Sequence, residues 1–235
     1  MISIVTGTLN RAGLLPNLIK NTVLSDSRLE LVLVDGGSSD GTIEYINELN
    51  HPQIKLIEVG CRSSYPHFMN LGIKNSSYDI ICQWNDDVLL VNGWDEVILE
   101  IEDEYDFYLF NWKYGSLENI KDQNWINGFD QKDGWCLYND AKVGGQIVMN
   151  YGLYRKKIFK EIGMYNPDYQ YYCADGDMSY RAYRFGYRDK DLKHIKVCSI
   201  PAQKVANSYP GDNELYNKNM NLYQQKILPE IIELL

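Results

Sequence analysis

Residues 30–42 read ELVLVDGGSSDGT, from Glu30 to Thr42. The run Leu31–Val34 is apolar at every position, so it reads as a strand covered on both faces, as in a parallel sheet. Asp35 closes the strand. Gly36-Gly37-Ser38-Ser39-Asp40-Gly41 supplies a turn, with Ser38, Ser39 or Asp40 available to cap the helix Thr42–Leu49. Strand, turn and helix in that order make half of a βαβ unit, and the alternation continues on both sides. Upstream, Ile2–Thr6 is a first strand. The helix after it places Leu14, Leu15, Leu18, Ile19 and Val23 near a 3.6-residue period, and Pro16 fits only its first turn. Downstream come a strand at Ile54–Val59, a helix over Tyr65–Asn75 and a strand at Asp79–Trp84 that runs into Asn85-Asp86-Asp87. Asn92 can cap a helix carrying Trp94, Val97, Ile98 and Ile101, and Asp106–Trp112 is a further strand. The fold class is α/β, with a mostly parallel central sheet flanked by helices.

The pattern weakens after Trp112. Residues Lys113–Gly145, rich in Gly, Asn, Asp and Trp, read as a long loop region, and loops of this length in a compact domain are functional or mobile. Order returns with helices over Tyr154–Ile162, ended by Gly163, and Asp175–Phe185, ended by Gly186. Ile195–Ser199 reads as a short strand. Glu214–Leu235 reads as an amphipathic helix kinked or restarted at Pro229.

The 235 residues suffice for one sizeable core. With 23 Lys+Arg against 32 Asp+Glu the net charge is −9, which argues against nucleic acid as a partner, since phosphate backbones require a basic stripe. The N-terminus shows no signal-peptide pattern, and no apolar run reaches the roughly 18 residues of a membrane span. A cytoplasmic protein is expected, with peripheral membrane association left open. Cys61, Cys82, Cys136, Cys173 and Cys198 are odd in number and lack any Cys-x-x-Cys pair, so they read as reduced, packed thiols. Nineteen tyrosines read as compositional bias and carry no functional expectation.

In an open parallel sheet, ligands sit beyond the carboxyl ends of the strands. Three polar clusters fall there: Thr6-Gly7-Thr8-Leu9-Asn10-Arg11, Asp35-Gly36-Gly37-Ser38 and Asn85-Asp86-Asp87. The adjacent carboxylates Asp86 and Asp87 repel unless a cation or hydrogen bonds compensate, and hard oxygen ligands favour Mg²⁺ or Mn²⁺ bridging to phosphates. A solvated turn is the plainer alternative. Asp35 can accept from a base or ribose, and its glycines permit close backbone approach to a ligand; an ordinary strand-to-helix turn explains them equally. Asp175 and Asp177 open a helix, where capping and a general-base role both fit.

SIVTGTLNR (Ser3–Arg11), LVLVDGGSSDGT (Leu31–Thr42), NDDV (Asn85–Val88) and YRKKIFKEIGMYNPDYQYYCADGDMSYRAYRFGYR (Tyr154–Arg188) occur in this order. Together they resemble family 2 glycosyltransferases of the GT-A fold, whose sheet is Rossmann-like. The resemblance implies one GT-A domain over about 1–212, with a nucleotide-binding part over about 1–112 and an acceptor-binding part over about 113–212. A C-terminal helical segment, 213–235, follows. It implies Thr8 near the nucleotide, Asp35 on the base or ribose, and Arg62, before Asn70-Leu71-Gly72, on the base or phosphates. Asn85-Asp86-Asp87 takes the place of the Asp-x-Asp motif, with Asp87 as direct metal ligand and Asp86 holding the ribose or the metal's water shell. Asp175 takes the place of the catalytic base, six residues before Arg181. The activity implied is metal-dependent, inverting transfer from a nucleotide-sugar donor, with UDP favoured, to a hydroxyl of a glycan or glycoconjugate.

Some positions depart from the family pattern. Asn85 stands for an Asp, Gly36 for a second Asp and Ala174 for an acidic residue. The late metal-site histidine has no clear match; His194 and Asn207 are the nearest offers. Trp112, Trp125 and Trp135 can stack on a sugar or pack in a core. His67 lies near the expected crevice but reads as solvent-facing. The C-terminal helix lacks a basic face and would pack on its own core or on a second subunit in a homodimer. Two other activities fit less well: a sugar nucleotidylyltransferase, which needs a richer glycine loop after the first strand, and a nucleotide-sugar-binding relative without turnover.

Overall fold

The computed structural model describes residues 1–114, 131–132, 135–140, 144–147, 151–199, 212–227 and 229. The expected Rossmann-like sheet is present. Strands β1 (Ile2–Thr8), β2 (Leu29–Asp35), β3 (Ile54–Glu58) and β4 (Ile80–Gln83) alternate with helices α1 (Leu15–Asn21), α2 (Thr42–Leu49) and α3 (Tyr65–Asn75). Strand β5 (Val88–Leu90), helix α4 (Trp94–Leu99) and strand β6 (Phe107–Tyr114) follow. After β7 (Gln131–Lys132), β8 (Trp135–Asp140) and β9 (Gly144–Ile147) come β10 (Gly152–Arg155), α5 (Lys156–Glu161), α6 (Ala174–Arg184), β11 (Asp189–Ser199) and α7 (Asp212–Lys226).

Eight strands form one sheet in the order β3-β2-β1-β4-β10-β6-β11-β5. All neighbours pair parallel except at β10, antiparallel to β4 and β6, and at β5, antiparallel to β11. Successive side chains point to opposite faces, and both faces are covered. Ile2, Ile4, Leu31 and Leu33 pack with α1 and α4 on one side; Val5, Val32 and Ile81 pack with α3, α5, α6 and α7 on the other. Leu31, Val32, Leu33 and Val34 are all fully buried. Each such side chain contributes roughly 1.5–3 kcal/mol relative to exposure, which fixes β2 in the sheet interior.

Four expectations need correction. The run beginning at Tyr154 is not helical from its start: Gly152–Arg155 is a strand inserted between β4 and β6, and α5 begins only at Lys156. Residues 113–145 are not wholly loop, since β7, β8 and β9 form an antiparallel three-stranded sheet there. The late strand starts at Asp189 rather than Ile195 and carries an irregularity between Leu192 and Lys196. Asn92 does not cap α4, whose N-cap is Gly93 without a side-chain bond. Its Oδ1 instead accepts from the Lys196 N–H at 2.8 Å, tying the α4 entrance to β11. The residues on either side of Pro229 lie outside the described residues. Among the described residues no helix is long and apolar enough to cross a membrane.

Candidate functional site

The carboxyl ends of β1, β2 and β4 lie side by side, because β1 pairs with both other strands. Thr8 is in register with Asp35, and Thr8 O accepts from the Gly36 N–H at 2.9 Å. The loops beyond are laced together. The Asn10 N–H donates to Ser38 Oγ at 2.8 Å, the Ser39 N–H to Asn10 Oδ1 at 2.9 Å, and the Arg11 N–H to Thr42 Oγ1 at 2.9 Å. Asp40 holds the entrance of α2, accepting from both the N–H and the hydroxyl of Thr42.

Asp35 is fully buried. Its Oδ2 accepts from the N–H groups of Gly37 (2.7 Å) and Ser38 (2.9 Å), and its Oδ1 accepts from the Ser38 hydroxyl. Three of roughly four lone-pair sites are thus used by its own loop, leaving one on Oδ1. The close approach made by the glycines is to the chain itself. A Cβ on Gly37 would stand 2.8 Å from the Gly60 carbonyl oxygen, and one on Gly36 would meet Phe68 at 3.3 Å and the Arg62 Cα at 3.7 Å. Arg62 therefore sits directly beside the Asp35 loop.

Asp86 lies under the same cluster. Arg11 Nε is 3.4 Å from Asp86 Oδ2, and both side chains are largely buried. The buried Thr8 hydroxyl lies beside this carboxylate yet reaches hydrogen-bond geometry with no partner among the described residues, and Arg11 Nη1 is likewise buried without one there. Burial pushes the Asp86 pKa up to about 6 against the pull of Arg11, and the charge of Asp87 adds to the rise. Burial raises Asp87 too. One guanidinium therefore leaves the acidic pair under-compensated.

Asp175, in the first turn of α6, is joined to this region through tyrosines. The Asn85 Nδ2–H donates to the Tyr151 hydroxyl at 3.2 Å. Burial raises the Tyr65 phenol well above its ordinary value, with the nearby charge of Asp175 next in effect and a smaller contribution from Tyr151. Two residues before Asn85, Gln83 Oε1 accepts from the hydroxyls of Tyr165 and of Tyr154 (3.4 Å). Both phenols are likewise raised by burial and feel Asp175. The charge of Asp175 thus reaches the two tyrosines whose hydroxyls bond Gln83, the last residue of β4, whose extension carries Asn85, Asp86 and Asp87.

Burial raises the pKa of Asp175, partly offset by backbone N–H groups at the helix start. Asp177, the other acid of this turn, is differently engaged: Arg181 Nε donates to its Oδ2 at 2.9 Å, while the same guanidinium donates to the carbonyls of Ile162 (2.7 Å) and Met164 (2.9 Å). Asp177 and Arg181 staple α6 to the turn after α5. Among the described residues no cation pairs with Asp175.

Residues 3–163 match the model of the family described as Glycosyl transferase family 2. The chain belongs to this family. No curated protein matches its sequence. Among solved structures, S. aureus TarS aligns with a TM-score of 0.64 at 16% identity, over 94% of this chain and 38% of that one. TarS 1-349 in complex with UDP-GlcNAc aligns at 0.63 and 16%, over 92% and 64%. The mannosyltransferase PcManGT from Pyrobaculum calidifontis, in complex with GDP-Man and Mn²⁺, aligns at 0.62 and 14%, over 97% and 70%. These likenesses establish a shared fold, GT-A. The chain spans well under half of full-length TarS.

Pairing of β1 with β2 and β4 thus sets the strand ends that carry Thr8, Asp35 and Asn85-Asp86-Asp87 side by side, with Arg62 next to the Asp35 loop. Three features were not anticipated from sequence: the Arg11–Asp86 pair, the Tyr151 contact of Asn85 and the tyrosines around Asp175. Arg11 was visible inside the first motif, but nothing local indicated its partner. Other candidates fall away or lie out of view. His67 is exposed on α3, its ring edge-on to Phe68. His194 is exposed, its Nε2 3.1 Å from Glu100 Oε1. Asn207 and Trp125 lie outside the described residues, as do the side chains of Trp112 and Trp135. Ala174 is fully buried, a place that would penalise an acidic side chain.

The donor chemistry around Asp86 and Asp87 fits a divalent cation of the Mg²⁺ or Mn²⁺ kind. Both are hard oxygen ligands in a buried, under-compensated pair, and such ions commonly use one or two carboxylates plus water and substrate phosphate. Among the described residues no group of three acids, histidines or cysteines forms a complete protein cage.

Proposed function

We propose that this protein transfers a sugar from a nucleotide-sugar donor, with UDP-sugars favoured, to a hydroxyl of a glycan or glycoconjugate acceptor, with inversion at the anomeric carbon. The observation that supports this most is that the charge of Asp175 reaches Tyr154 and Tyr165, which bond Gln83 at the end of the strand leading into Asp86 and Asp87. A leaving-group site and a general base then face one reacting centre.

In this reading Thr8, Asp35 and Arg62 receive the nucleoside, Asp87 would ligate a divalent ion, and Asp86 would hold the ribose or the ion's water shell. That ion, when bound, supplies charge neutralisation for the diphosphate leaving group. Asp175 accepts the proton of the acceptor hydroxyl. The hydroxyl oxygen forms its bond to the anomeric carbon from the face opposite the diphosphate, and the breaking C–O bond leaves its electron pair on the diphosphate. Burial suits Asp175 to this work, since a carboxylate whose pKa is raised is a stronger base. The neighbouring phenols, raised above their ordinary range, stay neutral, and those of Tyr154 and Tyr165 donate to Gln83.

The test pairs two variants with UDP-GlcNAc and GDP-mannose as probe donors. Asp87→Ala is expected to abolish the Mn²⁺ dependence of nucleotide binding in calorimetry. Asp175→Asn is expected to keep donor affinity and lose about 10²–10⁴ in turnover. Wild-type turnover by Asp175→Asn would remove it as the base. Donor binding without turnover in the wild type would favour a binding protein, and pyrophosphate release from a nucleoside triphosphate would favour a nucleotidylyltransferase.

A further inference from the structure

The C-terminal helix α7 lies beyond the residues matched by the family model, and its pattern set it apart as an appendage. In the structure one of its faces lies along the segment that leads into Asp175. Asn219 is almost fully buried; its Oδ1 accepts from the Gln170 N–H at 2.7 Å, while its Nδ2 donates to Leu215 O at 2.7 Å and so fixes the amide orientation. Gln170 O in turn accepts from the Tyr65 N–H at 2.9 Å, which clamps the segment between α7 and the start of α3. The Tyr216 ring meets Tyr172 edge-on at 5.1 Å, and Met220 Sδ lies 3.2 Å from Cys173 Sγ.

The helix also packs against the residue that follows Asp175. Tyr223 is fully buried, and a Cβ on Gly176, the residue after Asp175, would stand 3.1 Å from its ring. Any larger residue at 176 would require the Tyr223 ring to give by a few tenths of an ångström. Among the described residues the Tyr223 hydroxyl has no hydrogen-bond partner, so the residue acts here through its ring. Two residues before Asp175, Cys173 has φ +66°, a left-handed conformation that a cysteine adopts only when its surroundings impose it. Cys173 is held by α7 through Met220.

We infer that α7 is a positioning element for the catalytic base: the Tyr223 ring, seated on Gly176, and Asn219, bonded to Gln170, set where Asp175 stands. The inference rests on the proposed role of Asp175. Tyr223 and Asn219 are positioning residues, since neither is placed against substrate. Displacing a catalytic group by about 1 Å costs on the order of 10² in rate without disturbing donor contacts elsewhere.

The test compares Tyr223→Ala with Tyr223→Phe in the full chain, reading hydrogen exchange by segment, UDP affinity with Mn²⁺ and UDP release from UDP-GlcNAc. Tyr223→Ala is expected to speed exchange over residues 168–178 by about tenfold, leave β1, β2 and β4 unchanged, keep UDP affinity within about twofold and lower kcat by about 10²-fold. Tyr223→Phe should match the wild type in all three. If Tyr223→Ala does not fold, Gly176→Ala presses on the same contact from the other side and should give the same pattern with about a tenfold loss of kcat. Unchanged exchange over 168–178, or acceleration spread evenly over the chain, overturns the inference. A wild-type protein that releases no UDP overturns the functional reading instead, while the exchange pattern still decides whether α7 holds this segment.

Discussion

Arg11 Nε stands 3.4 Å from Asp86 Oδ2, bringing the loop after β1 onto the acidic pair that follows β4. The contact does two things at once. It holds one carboxylate in a buried place, and it leaves the second to be balanced from outside, because a single guanidinium cannot neutralise two adjacent acids. Arg11 Nη1 is buried without a partner among the described residues, and a diphosphate oxygen bound at these strand ends would satisfy it.

Removing Arg11 should therefore cost most when no metal is present. Arg11→Gln is expected to lower the melting temperature of the metal-free protein at neutral pH by about 3–6 °C. This corresponds to about 1–2 kcal/mol for a chain of this size, the scale of one charge-assisted contact. Added Mn²⁺ should return most of the loss, since the ion then supplies the missing positive charge. Thermal unfolding with and without Mn²⁺ checks this. An equal deficit in both conditions would mean that Arg11 only packs.

A different carboxylate governs stability at the opposite end of the sheet. Glu30, 7% exposed, accepts from the Ser3 hydroxyl (2.6 Å), the Ser77 N–H (2.8 Å) and the Ser77 hydroxyl (2.6 Å), with Lys55 Nζ at 3.0 Å. Burial alone would raise its pKa, but these donors outweigh it and the folded value is lowered. A depressed folded pKa contributes stability above the unfolded value of 4.5, and that contribution is lost as pH falls through the folded value. Lys55 is partly exposed and screened, so the serines and the backbone N–H carry most of it. Glu30→Gln should lose about 1–3 kcal/mol at pH 7, and its gap from the wild type should close towards pH 3–4. Urea unfolding across this range is the measurement, and a gap constant with pH would refute the assignment.

The nucleotide-binding half was legible because its strands and helices differ in period and its turns carry glycine and serine. Thr42–Leu49 and Tyr65–Asn75 were read to the residue. Strand β10 was not legible: four residues, Gly152–Arg155, run without a break into α5, and only their pairing with Gln83 and Leu109 makes them a strand. Strand β5, three residues long, was hidden in the same way. The site shows the same division. Polar strand ends converge by topology, so Asp35 and Asp86 could be placed together from sequence. The pairings of Arg11 with Asp86 and Asn219 with Gln170 join distant parts of the chain and leave no periodic trace. Nineteen tyrosines read as composition hide the three, Tyr65, Tyr154 and Tyr165, that feel the charge of Asp175.

The loop that holds Asp35 offers a test with its own control. Gly37 has φ +88°, and a Cβ there would stand 2.8 Å from the Gly60 carbonyl oxygen; Gly41 has φ +92°, with nothing within 4 Å of the same position. Alanine at Gly41 meets only the cost of a left-handed backbone, about 1 kcal/mol. Alanine at Gly37 meets that cost and a backbone clash, and the backbone must shift to relieve it. The shift pulls on the Gly37 N–H, 2.7 Å from Asp35 Oδ2, and so on the carboxylate itself. Gly37→Ala should therefore lose about 2–3 kcal/mol, roughly 5–10 °C in Tm, and weaken UDP binding by about tenfold. Gly41→Ala should lose less than half as much stability and bind UDP as the wild type does. If the two variants behave alike in melting and in calorimetry, the approach of Gly37 to Gly60 does not set the geometry of Asp35.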